Sequence, residues 1–171
     1  MTFLELAKAR YSVRAFKNTP VEKEKIEAIL EAAKIALTAK NSQPQKIYVA
    51  QSAEALAIIN EESPCIYGAP VVFVIGYDKN RECKVEDVRP GYGFGEQDAS
   101  IVQTHMILEA ADQGLGSCWV GYYKETIREK LGLPENVEVT GLLPVGYPAD
   151  SAEPSPRHTL YRDDAEMVEY I

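Results

Sequence analysis

Two arginines flank a serine in the run Arg10-Tyr11-Ser12-Val13-Arg14. Guanidinium groups carry a fixed charge and forked N–H donors, and a hydroxyl adds another, so this spacing suits a phosphate or a carboxylate. A short basic loop is equally what a solvated surface looks like, and the motif alone decides nothing. Arg157, in a proline-rich stretch, is the other arginine whose setting resembles a ligand clamp. A second candidate is Thr38-Ala39-Lys40-Asn41-Ser42-Gln43-Pro44. Its amides place donors and acceptors side by side, as the polar edge of a planar heterocycle requires, although the same composition makes a plain loop. Pro44 is expected to keep Gln43 extended.

The stretch Gly114-Leu115-Gly116-Ser117-Cys118-Trp119-Val120-Gly121 is the third. Its glycines allow backbone N–H groups to approach a ligand. It is no dinucleotide fingerprint, because that motif leaves a strand and opens a helix, whereas this one leaves a helix and carries Trp119 where a third glycine belongs. A helix stop followed by a tight turn is the plainer reading. Gly91-Tyr92-Gly93-Phe94-Gly95 also lacks the fingerprint spacing.

Machinery of other kinds is missing. His105 and His158 are the only histidines, with no Ser-His-Asp, HExxH or Walker pattern around them, and His105 reads as a satisfied helix residue. Cys65, Cys83 and Cys118 are odd in number and lack CxxC spacing, which indicates neither a disulfide framework nor a zinc site. An enzyme so short of acids, bases and nucleophiles needs a bound cofactor to carry its chemistry.

The 171 residues, 46% of them hydrophobic, suffice for one domain spanning 1–171. A formal net charge of -8 argues against nucleic acid or an anionic membrane as partner. The opening MTFLELAKARYS has no apolar core of a leader peptide, and no run approaches a membrane span, so a soluble cytoplasmic protein is expected.

The elements that would position these candidates follow from periodicity. A helix from Thr2 to Lys8 is capped by Thr2 with Glu5 as its reciprocal partner. An amphipathic helix over Val21 to Leu37 presents Ile26, Ile29, Leu30, Ala33 and Leu37 on one face. A strand over Ile47 to Ala50, a helix over Ala53 to Asn60 and a continuous apolar strand in Pro70 to Gly76 come next, the last covered on both faces. Lys79 to Gly95 reads as a mobile loop bordering a pocket. The long helix from Phe94 is apolar over most of its circumference, carries Glu96 and Asp98 at its start, ends at Gly114 and leads into the glycine-rich strand. A short helix, Tyr123 to Leu131, and a strand, Val137 to Tyr147, complete the domain, and the 148–171 tail ends in apolar residues that suit a neighbouring surface. The class is α+β, a mixed central sheet flanked by helices around a long buried helix.

Taken in order, RYSVR, NSQP, APVVFVIG, the long helix closing in GLGSCWVG, and LLPVGYP before an arginine-bearing tail resemble the nitroreductase family of FMN-dependent oxidoreductases over almost the whole chain. The resemblance implies a nitroreductase-like fold and a homodimer with FMN at the subunit interface, the tail packing on the partner. It implies that Arg10, Ser12 and Arg157 hold the FMN phosphate, that Tyr11 lies beside them, and that Arg14 approaches the ring or ribityl chain. Thr38, Ala39 and Asn41 come near the cofactor from the partner subunit, Gln43 shapes that loop, and Cys118, Trp119, Val120 and Gly121 lie along the isoalloxazine.

The implied activity is hydride transfer from NAD(P)H through flavin N5 to a small acceptor such as a nitroaromatic, quinone or enone, with no metal and no obligatory catalytic side chain. Two alternatives stand beside it: a non-catalytic flavin-binding or redox-sensing protein, and a specialised reaction on the same fold, such as reductive dehalogenation or flavin fragmentation. Gln45 where many members have an aromatic residue, and Trp119-Val120-Gly121 where larger members carry an acid, depart from the family pattern, and Lys79 to Gly95 in place of the longer helical excursion that covers the pocket in larger relatives implies an open pocket.

Overall fold

The computed structural model describes residues 1–171. The chain forms α1 (Phe3–Ala9), α2 (Lys23–Ile35), β1 (Gln45–Ala50), α3 (Ala53–Glu62), β2 (Val71–Asp78), α4 (Gly95–Asp112), β3 (Gly116–Ser117), α5 (Ile127–Lys130), β4 (Val137–Gly146) and α6 (Asp164–Met167). The strands make one sheet in the order β1-β2-β4-β3.

β2 explains the layers. It is buried at Val71 through Gly76, and its side chains alternate between the two faces of the sheet, as the period of a strand requires. Val71, Phe73 and Ile75 meet Ile29 and Ala33 of α2 and Val102 and Met106 of α4 on one face. Val72 and Val74 meet Ile59 of α3 and Ile127 of α5 on the other, together with Cys118 and Val120. A strand buried on both sides is a continuous apolar run, which is how Pro70 to Gly76 reads.

The α+β class and the helix-wrapped sheet agree with the sequence reading, but the pairing inside the sheet differs. All three ladders, β1 with β2, β2 with β4 and β3 with β4, are antiparallel. Parallel pairing occurs only at the isolated bridge between Ser12 and Ser117. Helices interleaved with strands suggested parallel crossovers; here the segments containing α3 and α5 turn the chain back against its neighbouring strand, while the segment containing α4 leads from β2 to β3 past a position that β4 fills.

Other boundaries shift for local reasons. The capping box of α1 forms, Thr2 N–H donating to Glu5 Oε2 at 2.7 Å and Glu5 N–H to Thr2 Oγ1 at 3.3 Å. α2 stops at Ile35 because Ala36 turns extended (φ -60°, ψ 142°), which breaks the register carrying Ala33 to Leu37; Leu37 is therefore 66% exposed instead of packed. The 79–94 segment is hydrogen-bonded, with Val85 N–H on Tyr92 O, Phe94 N–H on Cys83 O and Gly91 N–H on Glu86 Oε2. His105 Nδ1 lies 2.9 Å from Ile101 O, a satisfied helix residue. The tail forms a 3₁₀ turn at Pro156–Thr159 and the single turn of α6, and remains largely exposed. Phe3, Leu4, Ile35, Leu37, Tyr161, Tyr170 and Ile171 are exposed apolar or aromatic residues. No helix is long and apolar enough to cross a membrane.

Phe73, fully buried at the centre of β2, is the residue on which the sheet closes. Phe73→Ala should lower unfolding free energy by about 3–5 kcal/mol, read as a shifted midpoint in urea denaturation.

Candidate functional site

The run 10–17 is pinned at two points along its length. Val13 N–H donates to Ser117 O at 2.9 Å near its start; Lys17 N–H donates to Tyr147 O at 2.8 Å and Ala149 N–H to Ala15 O at 2.9 Å near its end. Extended backbone sends alternate side chains opposite ways. Val13 is accordingly buried, at 1% exposure, while Arg10, Ser12 and Arg14 share one cleft.

The far wall of that cleft comes from the tail. Ser155 caps the 3₁₀ turn, its Oγ accepting from Arg157 N–H at 3.3 Å, and so presents Arg157 and His158 to the arginines of the N-terminal run. His158 Nε2 stands 3.2 Å from Lys8 O, and Tyr11 Oη donates to Ala152 O at 3.3 Å, so two further contacts fasten tail to N-terminus. The cleft measures about 550 Å³, and no acidic residue lines it. None of Arg10, Arg14 and Arg157 forms a salt bridge. Three guanidinium groups without carboxylate partners, in a chain of net charge -8, are the donor set that an anion requires.

Tyr11 takes no part in lining the cleft. It turns the other way and meets His158 edge-on, the ring centroids 6.3 Å apart. Ser155 and His158 are the residues that sequence reasoning missed. Their immediate neighbourhood to Arg157 in Ser155-Pro156-Arg157-His158 was the available signal, a serine cap before proline opening a helical turn.

The glycine-rich segment runs beside this cleft. Gly114 takes φ +74° as the stop of α4. Gly116 serves packing: a Cβ there would lie 2.6 Å from Val13 Cγ2, so only glycine lets the N-terminal run dock. The expected strand is a two-residue ladder, after which pairing resumes at Val120, whose N–H donates to Leu142 O at 3.0 Å. Cys118 N–H donates to Pro144 O, whereas the N–H groups of Trp119 and Gly121 make no hydrogen bond within the protomer. Side chains alternate with them: Cys118 and Val120 are buried, and Trp119 is 56% exposed with its indole against Gly121. Burial raises the Cys118 thiol above its ordinary value, opposed by the positive charge of Arg14 and by Ser12.

The 38–43 loop lies elsewhere in the protomer; none of Thr38, Ala39, Asn41 and Gln43 lines the arginine cleft. Lys40, Asn41 and Gln43 have φ of +49°, +53° and +47°. Gln43 is thus left-handed, not extended as Pro44 suggested, because its N–H is drawn back to Thr38 Oγ1 at 3.1 Å. Its side chain donates to Asn41 Oδ1 at 2.9 Å, and Ala39 N–H donates to Asp98 Oδ1 at 2.8 Å.

A burial-protected thiol should be slow to react. At about pH 8, iodoacetamide is expected to leave Cys118 unmodified in the native protein and to label it after denaturation, with peptide mass mapping as the readout.

The nitroreductase family model matches residues 7–63 and 58–147. A relative from Methanothermobacter thermautotrophicus, provisionally named NADH dehydrogenase/NAD(P)H nitroreductase, is 33% identical over 159 residues, covering 88% of this chain and 80% of that one. The crystal structure of a nitroreductase family protein from Clostridium difficile 630 superposes with a TM-score of 0.92 at 38% identity, covering 99% of this chain and 98% of the other. An FMN-dependent nitroreductase from Clostridium difficile R20291 gives a TM-score of 0.79 at 27% identity, with 98% of both chains covered.

Proposed function

The chain belongs to the nitroreductase family, and from that premise we propose that it is an NAD(P)H-dependent FMN oxidoreductase acting on a small acceptor. The observation that carries the reading is the convergence of Arg10, Ser12, Arg14 and Arg157 on one cleft free of carboxylates. That donor set fits a phosphate monoester: a dianion needs more than one cation, and the forked guanidinium matches its oxygens. FMN held there would supply hydride transfer between NAD(P)H and an acceptor of the nitroaromatic, quinone or enone class.

The chain's own contribution is to bind and orient. Arg10, Ser12 and Arg157 hold the phosphate, His158 and Ser155 complete the wall, and Arg14 reaches toward the ring or ribityl chain. Trp119 and Gly121 offer the unpaired N–H groups of the segment expected along the isoalloxazine, and donors aimed at an electron-rich ring favour its reduced form. Cys118 and Val120 contribute indirectly, their N–H groups anchoring that segment to β4.

Thr38, Ala39 and Asn41 lie outside the arginine cleft of their own protomer, which supports the expectation that a second copy supplies them. The exposed Phe3, Leu4, Ile35 and Leu37 and the apolar end of the 148–171 tail favour the same homodimer. Sedimentation at micromolar concentration is expected to give a dimer.

A specialised reaction on the same fold is favoured by one observation. The 79–94 segment is ordered by its own contacts: the Arg89 guanidinium lies 3.6 Å over the Tyr92 ring, and Tyr92 meets Phe94 edge-on at 5.1 Å.

The decisive experiment is the visible spectrum of the purified protein before and after anaerobic NADH and then NADPH. Flavin bands that bleach, followed by steady turnover with added acceptor, are expected. Bands that persist with both donors would mean a flavin-binding protein without this activity, and failure to take up FMN would sink the reading. Arg10→Ala and Arg157→Ala should each weaken FMN binding by about 1.5–3 kcal/mol, or about 10- to 150-fold, and leave riboflavin binding unchanged.

A further inference from the structure

Asp98 stands in the first turn of α4, 2% exposed, away from the arginine cleft. Its Oδ1 accepts the N–H of Ala39 at 2.8 Å. This bond joins a rigid 18-residue helix to a loop whose conformation is costly. Lys40, Asn41 and Gln43 all lie at positive φ without being glycine. Left-handed residues of this kind persist only where surrounding contacts over-determine them.

Three contacts do so here. Thr38 Oγ1 accepts from Gln43 N–H and closes the loop on itself, and the Gln43 side chain donates to Asn41 Oδ1. Both bonds are internal to the loop and would travel with it if it swung. The bond from Ala39 to Asp98 is the side-chain contact that fixes the loop to the body of the protein.

The anchor and its loop are unusual for a purely structural contact. Asp98 Oδ2 is buried with no hydrogen-bond partner, and so are Ser42 Oγ and Gln45 Oε1 in and just after the loop. Native proteins leave few such atoms and tend to keep them where a site demands it.

We propose that Asp98 is a positioning residue for the flavin, acting through Ala39 to hold Thr38, Ala39 and Asn41 in the geometry that meets the ring end of the cofactor. The inference rests on the FMN reading above and names a residue in neither the arginine cleft nor the loop itself. A loop held in its binding conformation before the ligand arrives loses less entropy on binding, and the benefit falls on the ring and ribityl contacts, not on the phosphate.

The test uses the full chain and titrates FMN and riboflavin separately. Asp98→Ala removes the acceptor and should weaken both ligands by a similar factor, about tenfold. Asp98→Asn keeps a side-chain oxygen at the same place and should restore binding to within about threefold of the parent. Asp98→Ser, polar but too short to reach Ala39 N–H, should show the same parallel loss and serves if Asp98→Ala does not fold. The inference is overturned if folded Asp98→Ala binds both flavins as the parent does, or loses affinity for FMN alone, which would make its effect one on the phosphate cleft. A parent protein that binds neither flavin would bring down the cofactor reading, and this inference with it.

Discussion

The backbone pairing of residues 12–17 is the constraint on which the rest of the candidate site depends. The start of this run meets Ser117 and its end meets the exit of β4, at Tyr147 and Ala149. Because it is pinned at two points, the run cannot rotate, and the alternation of its side chains is set: Val13 inward, Arg10, Ser12 and Arg14 outward. The same bonds draw the tail alongside, so that Arg157 arrives from the opposite end of the sequence. A charged cleft follows from backbone pairing, with Gly116 as the condition that lets the run approach closely.

The scaffold obeys a similar economy. β2 has to be covered on both faces, and the helices are apportioned accordingly, α2 and α4 to one side, α3 and α5 to the other. α4 therefore serves two purposes. Val102, Met106 and Ala110 face the core, while Asp98 in its first turn faces a loop that carries none of the core. A long helix of this kind transmits position from a packed interior to a polar segment that could not hold its own shape.

Features governed by local chemistry were legible in the sequence. The capping of α1 by Thr2 and Glu5, the two-faced character of β2 and the stop of α4 at Gly114 depend on residues within a turn or two of each other. The arginine motif was legible as donors, and its alternation follows once the run is known to be extended. What escaped depended on choices among partners that local rules do not make. Nothing within Thr38 to Pro44 says that Gln43 N–H prefers Thr38 Oγ1, and the proline rule pointed to the opposite backbone. Leu37 continues the helical period of α2, yet the extended Ala36 ends the helix at Ile35, two residues too soon. His158 is an ordinary surface histidine until the tail folds back over Lys8. The antiparallel course of every ladder is a property of how the connections turn, which composition does not record.

The cleft joins residues 10–14 to residues 155–158, and this arrangement has a temporal side. A nascent chain emerging from its N-terminus displays the first arginines at once, but without Tyr147, Ala149 and the serine-capped turn it has nothing to hold them in line. Half of the arginine cleft offers only solvated charges. On the proposed reading, cofactor capture must then wait until residues 155–158 have been made, and the core has to be competent to fold around β2 while the chain is still empty. Any protease that trims the exposed tail before residue 155 would return the molecule to that earlier condition, with its hydrophobic layers intact and its binding cleft dismantled.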